Sequence, residues 1–133
     1  MYKFSQRSRT NLETCHPKLQ LLFNTVIKHW DCTIIEGHRN QGRQNMLFQQ
    51  KKSKLKWPNG KHNTLPSRAV DVMPYPIDWN DHEINTAFGH FVMGVAAAMR
   101  IKIRWGGDWN MNRRTSDERF LDSPHFELLD SED

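Results

Sequence analysis

Asp71 is a carboxylate inside an otherwise apolar run, Ala69-Val70-Asp71-Val72-Met73. Burying such a group is costly unless something positive compensates it, whether a metal, a nearby Arg or a set of backbone donors. His62 lies upstream in a loop that reads as ordered. A third element is the late segment Asp122-Ser123-Pro124-His125-Phe126-Glu127-Leu128, where strand alternation sets His125 and Glu127 on one face and turns Phe126 and Leu128 toward the core. A His, Asp, His set would fill three positions of a tetrahedral Zn²⁺ and leave the fourth for water, the arrangement that catalytic zinc sites need. Glu127 could then orient a histidine ligand from behind, or simply face solvent. Of the other histidines, His16, His29, His82 and His90 have no matching ligand three or four residues away and read as surface or capping residues.

These residues need elements to hold them. Leu19, Leu22, Phe23, Val26 and Ile27 recur at helical spacing, and Thr14 with Pro17 supplies start chemistry, so a first helix is expected to end near His29. Cys32 to Ile35 is β-rich and predicts a buried strand that delivers His38 and Arg39 at its exit. Asn40 is placed to cap a helix running to about Lys51. Residues 53 to 67 are rich in Lys, Pro, Asn and Gly and predict a loop, after which Ala69 to Met73 is a strand stopped by Pro74 and Pro76. The longest helix should begin at Asn80 or Asp81, with Ile84, Phe88, Phe91, Val92, Val95 and Met99 as its apolar face. Ile101 to Trp105 and His125 to Leu129 complete the strands, separated by a polar loop from Asp108 to Ser123. Helices interleaved with short strands and connections of varied length predict an α+β domain with a small, mainly antiparallel sheet.

With 133 residues the chain has room for one domain, residues 1–133, ending in an acidic tail from about residue 130 that should fray. No apolar run is long enough to span a bilayer; the best, Phe88 to Met99, is interrupted by Gly94. The basic N-terminus is followed by no apolar stretch, so synthesis in the cytoplasm without a secretory signal is expected. Cys15 and Cys32 are expected to be free, buried thiols. The net charge of +4 hides an uneven distribution: from Gly37 to Val70 there are eight Lys and Arg and no Asp or Glu. Such a stretch suits an anionic partner, whether nucleic acid, lipid head group or a carboxylate-rich wall polymer, and suits a solvated face equally well. Trp79 and Trp105 are expected in the core, with Trp57 and Trp109 lining a groove beside the site.

The order Gly60-Lys61-His62, then Ala69-Val70-Asp71, then Asp122-x-x-His125-x-Glu127 resembles the zinc peptidoglycan peptidases, a group that includes D-alanyl-D-alanine carboxypeptidases and dipeptidases and the L-alanyl-D-glutamate endopeptidases of phage lysis. Glu36-Gly37-His38-Arg39 with Gln44 is similar to that family's earlier Gly-x-Arg segment. One departure is the stretch from His62 to Asp71, two residues longer than the commoner form, with Pro66-Ser67 where a glycine usually stands. The resemblance implies Zn²⁺ on His62, Asp71 and His125, Asp122 as general base and Arg39 as the cation for the developing oxyanion. It also implies a peptidoglycan stem peptide as substrate, most simply at the L-alanyl-D-glutamate bond. The role would be that of a monomeric phage endolysin, without nucleic acid or a stable protein partner, which reaches the periplasmic wall after a holin opens the membrane. The alternatives are a D-alanyl-D-alanine carboxypeptidase and, in another class, a basic nucleic-acid-binding module.

Overall fold

A computed structural model describes residues 1–116 and 122–129, so the acidic tail from about residue 130 and part of the polar loop lie outside the described residues. The architecture is α+β, as expected. Strands β1 (Cys32–Glu36), β2 (Ala69–Pro74), β3 (Ile103–Trp105) and β4 (His125–Leu128) form one sheet in the order β1-β2-β4-β3, with every neighbouring pair antiparallel. Helices α1 (Gln6–Glu13), α2 (Pro17–Val26), α3 (Gln41–Gln49) and α4 (His82–Ala98) accompany it.

Helix α1 was not expected, because its sequence is polar and only Ser8 and Leu12 are buried. Its role explains the composition. Strand β1 is at the sheet edge, where unpaired backbone groups are a liability. Ser8 Oγ accepts from the Ile34 N–H at 3.0 Å, and Asn11 Nδ2 donates to the Ile34 and Ile35 carbonyls at 2.9 and 3.2 Å. Helix α1 thus closes the edge with side chains instead of a strand.

The cap of α2 is His16, not Thr14, and the helix stops at Val26, short of His29. Thr14 is taken elsewhere: its Oγ1 accepts from the His38 N–H at 2.8 Å and so ties the start of the chain to the exit of β1. Asn40 caps α3 as expected, its side chain accepting from the Arg43 N–H at 2.9 Å. Helix α4 is capped by Asp81 and buries Asn85, Phe88, Gly89, Val92 and Ala96. Its inner face is turned from the expected stripe: Ile84 is exposed, while Phe91, Val95 and Met99 only flank the core.

The core lies between this helix layer and the sheet, with Phe23 edge-on to Phe126 at 5.6 Å and Trp105 stacked on Phe126 at 6.4 Å. Trp105, 1% exposed, is in the core as predicted. Gly89 and Gly107 lie against its ring, where a Cβ on either would collide with the indole. Its Nε1–H donates to the Ser123 carbonyl at 2.7 Å, which ties the core to the turn that carries Asp122 and His125. Gly89→Ala should therefore cost about 1–3 kcal/mol of stability through overpacking. Denaturant unfolding checks this, and an unchanged midpoint would contradict it. Trp79 departs from expectation: it is 57% exposed, because the loop after β2 carries it outward before α4 begins. Cys15 and Cys32 are free and buried, and desolvation pushes both thiols up to about 12, which leaves them unreactive. No helix among the described residues is long and apolar enough to cross a membrane.

Candidate metal centre and its cavity

Sheet register assembles the first part of the site. Asp71 on β2 pairs with His125 on β4, and Glu36 on β1 pairs with Asp71 from the other side. The second pairing exists because of a register shift between Ile34 and Glu36, a bulge that re-aims Glu36 into the row Glu36, Asp71, His125. His62 arrives on a short 3₁₀ turn, Lys61–Asn63. That turn is pinned on several sides: the His62 carbonyl accepts from the Arg39 N–H at 2.7 Å, Asn63 Oδ1 accepts from the Gly60 N–H at 2.8 Å, and Asn63 Nδ2 donates to Gln44 Oε1 at 3.1 Å. A stretch with loop composition thereby holds a histidine in a fixed place.

His62 Nε2 lies 3.2 Å from Asp71 Oδ1 and 3.3 Å from His125 Nδ1, and His125 Nδ1 lies 3.3 Å from Asp71 Oδ1. The protons are assigned by the outer partners. His62 Nδ1 faces the Gly37 carbonyl at 2.7 Å and must donate to it, which leaves a lone pair on Nε2. His125 Nε2 donates to Glu127 Oε1 at 2.8 Å, which in the neutral ring leaves a lone pair on Nδ1. Two nitrogen lone pairs and a carboxylate oxygen thus converge, an arrangement that repels itself unless a cation lies between them. Tetrahedral Zn²⁺ with bonds of about 2.0–2.1 Å keeps its ligand atoms about 3.3 Å apart, so this nearly equilateral triangle fits that ion.

The surroundings set the charge states of the ligands. Burial alone would raise the Asp71 carboxyl, but His62 and His125 hold it well below the usual carboxylate range. Asp71 Oδ2 is turned to Arg39 at 3.5 Å, which leaves Oδ1 for the triangle. Burial opposes a charged His125 imidazole, yet its hydrogen bonds to Asp71 and Glu127 raise it to about 9, so a metal must displace a proton from this residue. Glu127 is buried, with burial outweighed by the His125 hydrogen bond, Lys61 and Arg104, so that it titrates at about 2. Its Oε2 lies 2.9 Å from Arg104 and 3.4 Å from Lys61 Nζ. Of the two roles open to Glu127 from sequence, orienting His125 fits this geometry, and Glu127→Ala should weaken zinc binding by about 10–100-fold. Competition against a chromophoric chelator would measure this; wild-type affinity would refute it.

Arg39 donates to Gln44 Oε1 at 3.0 Å and to Glu36 Oε1 at 2.9 Å, while its buried Nε has no hydrogen-bond partner among the described residues. The Asp122 carboxyl is raised from its ordinary value by burial and by Asp71, with His125, His62 and Arg39 opposing. Its backbone is held by the Asp122 N–H to the Gly106 carbonyl at 2.9 Å and by the His125 N–H to the Asp122 carbonyl at 3.0 Å. Gly106 is required there, since the Asp122 carbonyl occupies the place of a Cβ.

Arg39, Asp71, Asp122 and His125 line one cavity of about 1030 Å³ together with His62 and Glu127. Five of the eight cations in the basic stretch, Arg39, Arg43, Lys52, Lys54 and Lys61, face this cavity, as does Arg104. The charge run is thus largely part of the site. Trp109 lines it too, its ring 5.4 Å from that of His125, with the Arg104 guanidinium 5.3 Å from its centroid. Trp57, expected beside Trp109, is not among the lining residues, whereas Trp79 is.

Comparisons with known proteins agree with one another. The model of the family described as phage L-alanyl-D-glutamate peptidase matches residues 1–129. The L-alanyl-D-glutamate peptidase of Escherichia phage T5 is 31% identical over 136 residues, covering 96% of this chain and 98% of that protein. The crystal structure of the Serratia marcescens L-Ala D-Glu endopeptidase ChiX superposes with a TM-score of 0.74 at 25% identity, covering 96% of this chain and 90% of that one.

Proposed function

Because this chain belongs to the phage L-alanyl-D-glutamate peptidase family, and is therefore a peptidase of bacterial peptidoglycan, we propose that it hydrolyses the L-alanyl-D-glutamate amide with one Zn²⁺ on His62, Asp71 and His125. The observation that carries this reading is the convergence of three lone-pair atoms, 3.2–3.3 Å apart, in a cavity that also presents Asp122. Bound there, the ion would supply a Lewis acid that acidifies water and polarises the scissile carbonyl.

The chain's own groups do the rest. Asp122, its carboxyl raised from the ordinary value by burial and by Asp71, takes the proton of the attacking water and returns it to the leaving amine. Arg39 presents positive charge to the oxygen that becomes an oxyanion, a contribution realised mainly in the transition state. Glu127 holds the His125 ring, and the cations around the cavity attract the carboxylate-rich stem.

In the phage setting the protein would act as a monomeric endolysin, made in the host cytoplasm and admitted to the periplasmic wall after a holin opens the membrane. The test is a digest of purified peptidoglycan, followed by free amino groups and by mass spectrometry. New amino termini on D-glutamate, lost on chelation and regained with Zn²⁺, are expected. Release of a terminal D-alanine would instead identify a carboxypeptidase, and no release under any metal condition would refute both.

A further inference from the structure

Trp79 is the largest side chain that the fold leaves outside without an evident reason. It is 57% exposed, and it follows Tyr75 and Ile77, which are exposed as well. The loop that carries it is nevertheless held in place. The Tyr75 N–H donates to the Asp31 carbonyl at 2.9 Å, Asp78 Oδ1 accepts from the Asn80 N–H at 2.9 Å, and Asn85 Nδ2, on the buried face of α4, donates to the Asp78 carbonyl at 3.0 Å. An indole kept at the surface by an ordered loop is a platform, not a residue that failed to reach the core.

Its location gives the platform a partner. Trp79 lines the cavity of the candidate metal centre, and it also lines a smaller hollow of about 210 Å³ beside α1 and β1, with Ser5, Arg7, Ser8 and Thr33. The indole therefore borders both the site and a hollow whose wall is apolar at Ile34, Ile35 and Ile77 and polar at Ser5, Arg7 and Thr33. The substrate's covalent order matches this arrangement. L-Alanine is the first residue of the stem and is joined through a lactyl group to the glycan, so a sugar ring lies within about two residue lengths, roughly 7–8 Å, of the scissile carbonyl. Whatever binds L-alanine at the metal brings that ring to the cavity wall.

Resting on the function proposed above, we propose that Trp79 is a specificity-determining residue that stacks against the muramyl sugar of the glycan strand, with Ser5, Arg7 and Thr33 in reach of the sugar's polar substituents beyond it. The C–H face of a pyranose is apolar and fits an indole face flanked by Ile77, while the ring's hydroxyl and acetamido groups need polar partners, for which Ser5, Arg7 and Thr33 are at hand.

Two substrates separate this role from a structural one: a disaccharide-bearing stem peptide and the same peptide without sugar. Trp79→Ala should raise KM on the first by about five- to tenfold and change either constant on the second by less than twofold; Trp79→Phe should recover most of the loss. Independently, saturation-transfer NMR with a β-1,4-linked N-acetylglucosamine tetrasaccharide should show sugar ring signals with the wild-type chain and none with Trp79→Ala. An equal loss on both substrates, or none on either, would overturn the proposal, as would tetrasaccharide signals that survive the substitution. A wild-type chain that cleaves neither substrate would refute the peptidase reading, whereas one that cleaves both with the same KM would refute only the sugar platform.

Discussion

Asp122→Asn is expected to lower kcat on peptidoglycan by about 10²–10⁴-fold while leaving one zinc per chain in place, the usual contribution of a general base in the transition state. The separation of the two effects follows from the geometry. Asp122 is not a corner of the ligand triangle, and its structural work is done by its backbone, which pairs with Gly106 and His125 whatever the side chain. The amide is close in size to the carboxylate and cannot accept the proton. KM should move little, because nothing about Asp122 suits it to hold an anionic stem. Zinc content by atomic absorption, together with kcat and KM on a defined muropeptide, checks the prediction. If Asp122→Asn kept full kcat, the base would have to be sought elsewhere in the cavity.

His62→Ala should abolish stoichiometric zinc and reduce activity to the level of chelator-treated enzyme. Three protein ligands are the minimum for this kind of site, and the two that remain, Asp71 and His125, are cross-strand neighbours that would pair with each other instead. The substitution also removes the bond to the Gly37 carbonyl, but the turn keeps its other anchors through Asn63 and the His62 backbone carbonyl, so the fold should survive. Circular dichroism and metal analysis on the same sample distinguish the outcomes. Retained stoichiometric zinc in a folded variant would show that His62 is not a ligand.

How much of this was legible depends on how local each signal is. Asp71 announced itself because a carboxylate within Val70-Asp71-Val72 needs a partner, and strand alternation correctly set His125 and Glu127 on a common face. Asn40 was readable as a cap because capping chemistry is local. Three features were not readable, and each depends on long-range geometry. The bulge before Glu36 leaves no mark in composition, yet it brings Glu36 opposite Asp71 and thereby holds Arg39. Helix α1 lacks an apolar stripe because its task is to satisfy the edge of β1 with Ser8 and Asn11. Trp79 was expected in the core since large aromatics usually are, and only the pinned loop after β2 shows it turned outward. The basic stretch allowed a solvated face and a binding surface equally; five of its cations converge on one cavity only once the chain is folded.

The central claim, one catalytic metal on His62, Asp71 and His125, is met most directly by X-ray absorption at the zinc edge of the purified protein. One zinc per chain, with two imidazole nitrogens and the remaining ligands oxygen, all at about 2.0–2.2 Å, is the expected result. A sulfur shell near 2.3 Å, which would place the ion on a cysteine, or the absence of stoichiometric metal from a fully active preparation, would contradict it.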